Sequence, residues 1–457
     1  MRVLAALGAP PVPRWQRACV DAMARVQDAT IVVLADVETS DHEPGDRAPD
    51  ADVIVDFTGR HRGRAVPLGV WSFGFGDGAS VAAGACGTLA RLYRLTADPD
   101  RAVVLHEGWF RGPSADSAGT RSVGDRVAFW CARVLERVVA RDLDLLNATP
   151  QPTAGCSDPL PPPVGATGVE KLRDAVARWR RRERWTLGIV PMGIEAIVAR
   201  GALPEPAWLR GQPGDRYYAD PFPLAATDAG VRVLAEEYRY RTGRGRIAEL
   251  LIAADGTLRE AHERLASGHH LSYPFVLREK GRCFCVPESA SAGHVGAFPI
   301  AEPADRLGAE EIVMDGFRAV DATLAQHDGR WWLFCTRHGD TNQTDLFVFS
   351  AAGWRGPWTS HPWNPVKSDA RSSRPAGALF SIDGVLYRPA QDCSRRYGGA
   401  VSINKIVELS PTRFREHPVL TLAPSPSWAW PDGLHTINSL EGSRITLVDG
   451  LRVERFP

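Results

Sequence analysis

From about residue 219 onward, apolar and polar positions follow one plan that occurs five times. Each copy has a short apolar segment beside a polar residue, a Gly-containing turn, and a second apolar run that finishes on polar groups. The copies are ADPFPLAATDAGVRVLAEEY, SYPFVLREKGRCFCVPES, VDATLAQHDGRWWLFCTRH, SRPAGALFSIDGVLYRPAQD and GLHTINSLEGSRITLVDG. A plan that recurs at about 50–60 residues is typical of radially stacked small sheets. The pattern predicts a five-bladed β-propeller.

The repeat also predicts where its polar ends meet. If the first strand of each blade runs along the axis and the second returns antiparallel, first-strand starts and second-strand ends share one mouth of the ring. The starts are Asp220, Tyr273, Asp321, Arg374 and His435, and the ends are Glu236, Glu237, Glu288, Arg337, Gln391, Asp392 and Asp449. We therefore expect a carboxylate-rich axial mouth that carries the function.

The residues before the repeats follow a different pattern. RVLAAL, ATIVVLADV and ADVIVDFTG are short apolar runs of the kind buried in parallel sheets, and PRWQRACVDAMARVQ has apolar residues at helical spacing. These runs predict a Rossmann-like α/β domain over residues 1–148. Residues 149–183 combine a Pro-rich stretch and a charged helix and are interpreted as a linker. The propeller is expected over residues 184–457, with Trp185–Val190 as an N-terminal strand that completes the last blade.

Charge and cysteine content narrow the function classes. The 54 basic and 54 acidic residues cancel, so the chain as a whole offers no electrostatic support for binding nucleic acid or a membrane surface. The eight cysteines form no CxxC pair, and His269 and His270 have no third ligand at a recognisable spacing, so no metal is expected. Because the N-terminus does not follow a signal-peptide pattern and no apolar run reaches about 20 residues, we expect a cytoplasmic protein.

The C-terminal part resembles the five-bladed glycoside-hydrolase-like propellers. More specifically, it is similar to the N-terminal propeller of the plant glucosamine inositolphosphorylceramide transferases and their bacterial relatives. The likeness is carried by WTLGIV, YYADPFP, LSYPFVL, VPES, WWLFCT, GPWTSHPWNPV, RPAG, LYRPAQDCSRRYG and DGLHTIN. It implies the propeller fold. In the plant proteins the transferase reaction is attributed to a separate, following domain.

The first part resembles formyltransferase-like domains that act on folate-linked substrates or nucleotide amino sugars. The order of its strands and the passage from ADVIVDFTG to GVWSFGFGDG carry this likeness. Those enzymes place an Asn and a His in this loop region, whereas GVWSFGFGDG contains neither and has Asp77 as its only ionisable side chain. The comparison implies a degenerate domain kept for binding or assembly. No cofactor is expected, with a folate derivative held near Asp77 as the alternative.

Glycoside cleavage or transfer needs a protonated carboxyl group and an ionised carboxylate around an oxocarbenium-like centre. In the propeller glycosidases the Asp that opens the first blade is the base or nucleophile, and this resemblance implies that role for Asp220 of ADPFP. Glu288 is the predicted general acid, and Asp321 is expected to stabilise developing positive charge. Each has a structural alternative: a turn residue at Asp220, a loop ion pair at Glu288 and a strand cap at Asp321.

Other residues of the same mouth are expected to bind the substrate. Arg374 offers a planar fork for a carboxylate or phosphate, or else neutralises the carboxylates of the mouth. His435 either contacts the ligand or is a structural histidine. The predicted substrate-binding set is Tyr273, Glu237, Arg337, Arg374, Asp392 and His435.

Together these features favour a carbohydrate-active enzyme that carries out glycosyl transfer or glycoside hydrolysis on a sugar-containing small metabolite, as a monomer or a homo-oligomer. One alternative is transfer of a formyl or related one-carbon group to an amine by the first domain, with the propeller presenting the substrate. The other is a carbohydrate-binding protein without catalysis.

Overall fold

The computed structural model of the protein describes residues 1–7, 11–35, 50–58, 65–76, 87–98, 100–111, 123–142, 145, 147–152, 181–301, 306–440 and 442–455. The chain divides into two compact units, Met1–Gly165 and Ala166–Pro457. Across the described ranges, no helix combines the length and the apolar character needed to cross a membrane.

The described part of the N-terminal unit is a mixed sheet accompanied by helices. Its elements are β1 (Arg2–Leu7), α1 (Arg14–Met23), β2 (Thr30–Ala35), β3 (Val53–Asp56), β4 (Val70–Gly76), β5 (Gly87–Leu95), β6 (Arg101–Arg111), α2 (Val123–Val127), α3 (Trp130–Val139) and β7 (Gln151–Pro152). The strand order is β2-β1-β3-β4-β5-β6-β7. The pairs among β1 to β4 are parallel, and those from β4 to β7 are antiparallel.

This sheet does not support the predicted Rossmann-like domain. The apolar runs predicted as strands do form strands, and β3 is buried along its whole length. However, β4, β5 and β6 follow one another in the chain and pair antiparallel, a connection that does not require the crossover on which a parallel Rossmann-like sheet depends. Likeness to a formyltransferase is therefore not shown, and Asp77 lies outside the described residues.

The second unit is a five-bladed β-propeller, as the repeats predicted. In chain order its elements are β8 (Arg181–Val190), α4 (Ile194–Arg200), β9 (Ala207–Trp208), β10 (Arg216–Thr227), β11 (Gly230–Arg239), β12 (Arg244–Ile252), β13 (Leu258–Leu265), β14 (Ser272–Glu279), β15 (Arg282–Glu288), a short 3-10 helix (Ala290–Ala292), β16 (Val295–Pro299), β17 (Glu311–Met314), β18 (Ala319–His327), β19 (Arg330–Arg337), β20 (Asp345–Ala351), β21 (Thr359–Ser360), β22 (Lys367–Ser368), β23 (Phe380–Ile382), β24 (Val385–Asp392), β25 (Ala400–Leu409), β26 (Phe414–Leu422), β27 (Ile437–Ser439) and β28 (Thr446–Arg455).

Each blade is an antiparallel sheet whose first strand lies nearest the axis. Blade one consists of β10 to β13, blade two of β14 to β17, blade three of β18 to β21 with β22 paired to β20, and blade four of β23 to β26. Blade five has the order β27-β28-β8-β9, so it combines strands from both ends of the unit.

The ring is closed by the pairing of β8 with β28. The two strands run antiparallel from Arg181 opposite Arg455 to Val190 opposite Thr446. This pairing confirms that Trp185–Val190 completes the last blade. β8 begins at Arg181, where the sequence predicted the end of a charged helix, because its ladder with β28 extends that far. Tertiary pairing here overrides a local helical preference.

Buried apolar clusters hold neighbouring blades together. One cluster between blades two and three includes Tyr273, Phe284 and Trp331. Trp332 belongs instead to a cluster shared with Leu386 of blade four. Successive residues of a strand point to opposite faces of its sheet, which is why these adjacent tryptophans separate.

Candidate active site

The same backbone irregularity occurs at the axial ends of blades one, two and three. In each blade two residues of the first strand oppose a single residue of the second, which defines a β-bulge. The first bulged residue has a positive φ, of +52° at Asp220, +43° at Tyr273 and +55° at Asp321. A left-handed backbone costs a non-glycine residue about 1–2 kcal/mol, and bulges re-aim side chains. Three positions that the sequence singled out as functional therefore share one strained conformation.

Asp220 is fixed by hydrogen bonds from neighbouring blades. Its Oδ1 accepts the hydroxyl of Thr436 at 2.7 Å, and its Oδ2 accepts the backbone N–H of Tyr273 at 3.1 Å. Its own N–H donates to Oδ2 of Asp449 at 3.2 Å. Because the residue is buried, these donors hold its carboxylate in one orientation.

His435 lies between Asp220 and Asp449. Its Nδ1 is 2.5 Å from Oδ2 of Asp449 and 3.6 Å from Oδ1 of Asp220, and its ring stacks on Trp185 with the centroids 3.9 Å apart. Burial by itself lowers the pKa of His435, but the charges of Asp449 and Asp220 outweigh burial and raise that pKa. The imidazole is thus held as a partner of the two carboxylates.

Asp220, His435 and Asp449 also form the one group of metal-ligating side chains that comes together within the described ranges, with ligand atoms inside 4.8 Å of one another. Asp449 already accepts the backbone N–H groups of His435 and Thr436, at 2.8 and 3.1 Å. These contacts satisfy the group internally, so we attribute it to hydrogen bonding.

Asp321 is paired with Arg374 across blades three and four. Nε of Arg374 donates to Oδ2 at 2.6 Å, its Nη2 donates to Oδ1 at 3.3 Å, and Gln391 adds a bond of 3.2 Å to Oδ2. Burial raises the pKa of Asp321 to about 6, although Arg374 opposes the rise. Arg374, which also lies over the ring of Tyr397, thus neutralises a carboxylate of the mouth.

Glu236 lies near the end of the second strand of blade one and is buried. Among the described residues none donates a hydrogen bond to its Oε1. Nε2 of His270 is 3.6 Å from that oxygen. Nδ1 of His270 accepts the N–H of Gly245 at 2.9 Å. The histidine therefore faces Glu236 with its Nε2 side.

The electrostatics of Glu236 show that the acids of the mouth form one group. Burial is the largest cause that raises its pKa well above the usual value, and four charged carboxylates add to the rise. These are Asp220, Glu288, Asp321 and Asp449. The charges of the three predicted catalytic acids and of Asp449 therefore all act on Glu236. We call these five carboxyl groups the axial acids.

Glu288, the predicted general acid, is half-buried and has donors on both carboxylate oxygens. Ser272 donates its hydroxyl to Oε2 at 3.1 Å, and the backbone N–H of Ala290 donates to Oε1 at 2.8 Å. Both carboxylate oxygens of Glu288 thus accept hydrogen bonds from the protein, and its role as general acid stays a prediction.

Two predicted substrate-binding residues are not brought to the axial acids. Glu237 contacts Nη1 of Arg216 at 3.2 Å and Nε of Arg239 at 2.5 Å, because it follows Glu236 in the strand and points to the opposite face. Arg337 is exposed, with its guanidinium 5.6 Å from the ring centre of Phe317.

Two further members of that set are engaged in local structure. Asp392 accepts the N–H and hydroxyl of Ser394 at 2.9 and 2.6 Å, which caps a turn, and burial raises its pKa. Tyr273 is fully buried, with its hydroxyl 2.8 Å from that of Thr323 and accepting the N–H of Gly377 at 2.7 Å. Tyr273 therefore fastens three blades together rather than presenting a free face.

Aromatic rings that the sequence did not assign lie beside Glu236. Tyr217 and Tyr238, opposite each other in β10 and β11, stack with centroids 4.8 Å apart, and both are half-buried. Burial and then the charge of Glu236 raise the pKa of both hydroxyls. The tyrosines in YYADPFP and EEYRY were the available signal, since a polar strand end flanked by aromatics is typical of a ligand site.

The fold and these residues define a five-bladed propeller with a group of acids at its axial mouth. A family model described as "Glucosamine inositolphosphorylceramide transferase 1, N-terminal" matches residues 214–445, just over half of the chain. The chain belongs to this family. The matched stretch contains Glu236 and the three predicted catalytic acids.

Curated relatives match a shorter stretch. "Glucosamine inositolphosphorylceramide transferase 1" of Oryza sativa subsp. japonica is 35% identical over 155 residues, which cover 33% of this chain and 21% of that protein. The protein of the same name from Arabidopsis thaliana is 32% identical over 152 residues, which cover 32% of this chain and 20% of that protein. The chain thus spans about a fifth of the length of these relatives.

Solved glycoside hydrolases align with the chain at low scores. A thermostable family-43 glycoside hydrolase aligns with a TM-score of 0.36 and 12% identity over 46% of this chain and 77% of that chain. Zg3597, a family 117 glycoside hydrolase of Zobellia galactanivorans, aligns with a TM-score of 0.37 and 12% identity over 54% of this chain and 88% of that chain. Similarity at this level is no basis for assigning chemistry.

Proposed function

We propose that the axial mouth acts on a sugar-containing small molecule by glycosyl transfer or glycoside hydrolysis. The observation that carries this proposal is the meeting of carboxyl groups in different environments. Asp220 accepts hydrogen bonds on both carboxylate oxygens and acts on a buried glutamate, Glu236, whose pKa is raised. Glycosyl chemistry requires one carboxylate and one carboxylic acid. The relatives are named as glucosamine inositolphosphorylceramide transferases, which supports a sugar-containing substrate.

In this proposal Asp220 takes the proton from the attacking hydroxyl, and a glutamate of the mouth protonates the leaving oxygen. Asp321 lies against Arg374, so the pair adds little net charge, and its stabilising role at the reacting carbon stays a prediction. Tyr217 and Tyr238 offer apolar faces beside the acids, where a sugar ring can pack.

Aryl glycosides provide the test. The full-length protein should release nitrophenol from at least one member of a panel of 4-nitrophenyl glycosides that includes the glucosaminide. Asp220→Asn should lower kcat/KM by about 10²–10⁴-fold, the usual contribution of general acid–base catalysis. Asp255→Asn is the control, because Asp255 is an exposed residue paired with Arg210 at a hairpin tip of the same blade. Equal activity of Asp220→Asn and the wild type would contradict the proposal.

Carbohydrate binding without catalysis is the second candidate, and one observation favours it. All four carboxylate oxygens of Asp220 and Asp321 already accept hydrogen bonds from the protein. Calorimetric titration with the same glycosides separates the two functions. Binding by the wild type with no nitrophenol release from any member of the panel would establish the binder and exclude the enzyme for these substrates.

A further inference from the structure

We propose that Glu236 is the proton donor of the axial mouth and that His270 positions its carboxyl group. This inference rests on the proposed glycosyl chemistry and gives Glu236 the role that the sequence predicted for Glu288. It starts from a comparison between equivalent positions of two blades.

Glu236 and Glu288 occupy the same position relative to the bulge. In blade one Glu236 is opposite Ala219, and in blade two Glu288 is opposite Ser272. The hydroxyl of Ser272 donates to Glu288, whereas the methyl group of Ala219 has nothing to donate. A carboxyl group without donors retains its proton more readily than one with donors. The difference between Ala and Ser therefore favours the acid form at Glu236.

His270 and Gly245 complete the surroundings of Glu236. Because Nδ1 of His270 accepts the N–H of Gly245, the neutral ring carries its hydrogen on Nε2, which faces Glu236. A side chain at position 245 would collide with Oε1 of Glu236 and the carbonyl oxygen of Leu271, so glycine permits this close approach. Burial lowers the pKa of His270, which keeps the ring neutral. Its Nε2–H can then stabilise the carboxylate that remains after Glu236 releases its proton.

Several elements that meet at the mouth present titratable groups to Glu236 or His270. These groups are Tyr217 and Asp220 of β10, Tyr238 of β11, His269 before β14, Glu288 of β15, Asp321 of β18, Arg374 before β23 and Asp449 of β28. The four carboxylates all oppose ionisation of Glu236. Arg374 is the one permanent cation of this set, and it is paired with Asp321.

The reaction step balances without another reactant. The glycosidic C–O bond breaks, its electron pair goes to the leaving oxygen, and that oxygen takes the proton of Glu236. The new bond joins the anomeric carbon to the oxygen of water or of an acceptor hydroxyl, whose proton passes to Asp220. Exchange of protons with solvent restores both residues.

Leaving-group dependence is the direct test. A dinitrophenyl group departs without protonation, whereas a phenyl group needs it. Glu236→Gln should therefore lower kcat/KM by about 10²–10⁴-fold for phenyl glycosides and by less than about tenfold for dinitrophenyl glycosides. Glu249→Gln is the matched control, since Glu249 is a buried carboxylate of the same blade that is paired with Arg232 and Arg264. It should affect both substrates equally. Leaving-group dependence in Glu288→Gln and its absence in Glu236→Gln would overturn the inference.

A second measurement does not depend on turnover. Infrared difference spectra of wild type against Glu236→Gln at pH 7 should show the C=O band of a protonated carboxyl group. Ala219→Ser, which copies the Ser272 hydroxyl of blade two, should weaken that band. If the band is missing, the inference about Glu236 is overturned, even if the protein hydrolyses glycosides. If the band is present but the protein hydrolyses no glycoside, only the proposed function is contradicted.

The positioning role of His270 has its own readout. His270→Ala should lower kcat for phenyl glycosides with KM unchanged, and His270→Gln, whose amide N–H can still donate, should restore part of the loss. An equal effect of both variants on KM would assign His270 to substrate binding instead.

Discussion

Two buried glutamates of the same propeller, Glu236 in blade one and Glu416 in blade four, have opposite electrostatics. Glu416 accepts a hydrogen bond from Lys367 at 2.7 Å and two from Arg388 at 2.9 and 2.7 Å. Burial by itself raises the pKa of Glu416, but these cations outweigh burial and lower it to about 2. Glu236 faces carboxylates and a neutral histidine, and its pKa is raised.

The propeller therefore contains buried carboxyl groups in two kinds of surroundings. Around Glu416 the ion pairs are complete, and Arg388 is fully buried with its remaining donors on backbone carbonyls of Ser372 and Ser373. Such a network contributes to blade four and leaves no group available for chemistry. At the axial mouth, by contrast, Glu236 faces carboxylates and a neutral histidine, so none of these described neighbours supplies a positive charge to balance its ionised form. Strongly perturbed acids of this kind are concentrated at functional sites.

Glu416→Gln should give the largest loss of stability. Arg388 and Lys367 would keep their charges without a counter-charge, which lowers the free energy of unfolding by about 3–5 kcal/mol. Because the folded-state pKa is depressed, the stabilisation by Glu416 is present above about pH 4.5 and is lost as the pH falls through about 2. Urea unfolding at pH 7 and pH 3 measures both effects. Equal stability of variant and wild type at pH 7 would remove the contrast with Glu236.

Arg374→Met should give an intermediate loss. The variant leaves Asp321 without its cation, and a hydrogen bond to a charged group contributes about 1.5–3 kcal/mol. Since the pKa of Asp321 is raised to about 6, its charge develops as the pH rises through that value. The loss should therefore be greater at pH 8 than at pH 5. Thermal unfolding at the two values tests this order, and a greater loss at pH 5 would contradict it.

Glu236→Gln should give the smallest change in stability, and it should have the opposite sign. The raised pKa of Glu236 means that its ionisation destabilises the fold as the pH rises above the unfolded-state value of about 4.5. Removing the group should raise Tm at pH 8, by roughly 2–4 °C for each kcal/mol recovered, and should leave Tm unchanged at pH 4. Differential scanning calorimetry is the measurement. A lower Tm at pH 8 would show that Glu236 stabilises the propeller as Glu416 does.

The sequence predicted the propeller because each blade repeats the same local pattern. It did not distinguish Glu236 from Glu237. The bulge at Asp220 sets which of the two faces the axis. The left-handed backbone of this aspartate cannot be recognised from the residue types of the strand. The pairing of Asp321 with Arg374 joins different blades. Only the folded ring therefore shows that the guanidinium of Arg374 is already bound to a carboxylate of the protein.

The antiparallel half of the N-terminal sheet was also beyond prediction. Apolar runs indicate that strands exist, but they do not show whether β4, β5 and β6, which follow one another in the chain, pair parallel or antiparallel. The predicted formyltransferase-like function relied on that order of strands.

The closure of the ring has a consequence for synthesis. The ribosome makes β8 before the four complete blades, yet its partner β28 ends at Arg455 and emerges after them. During translation β8 therefore exposes an open sheet edge, which is a template for aggregation. Changes in the part of the last strand that follows Asp449, Gly450–Arg455, should thus reduce the yield of soluble protein, even though they lie outside the chemistry of the mouth.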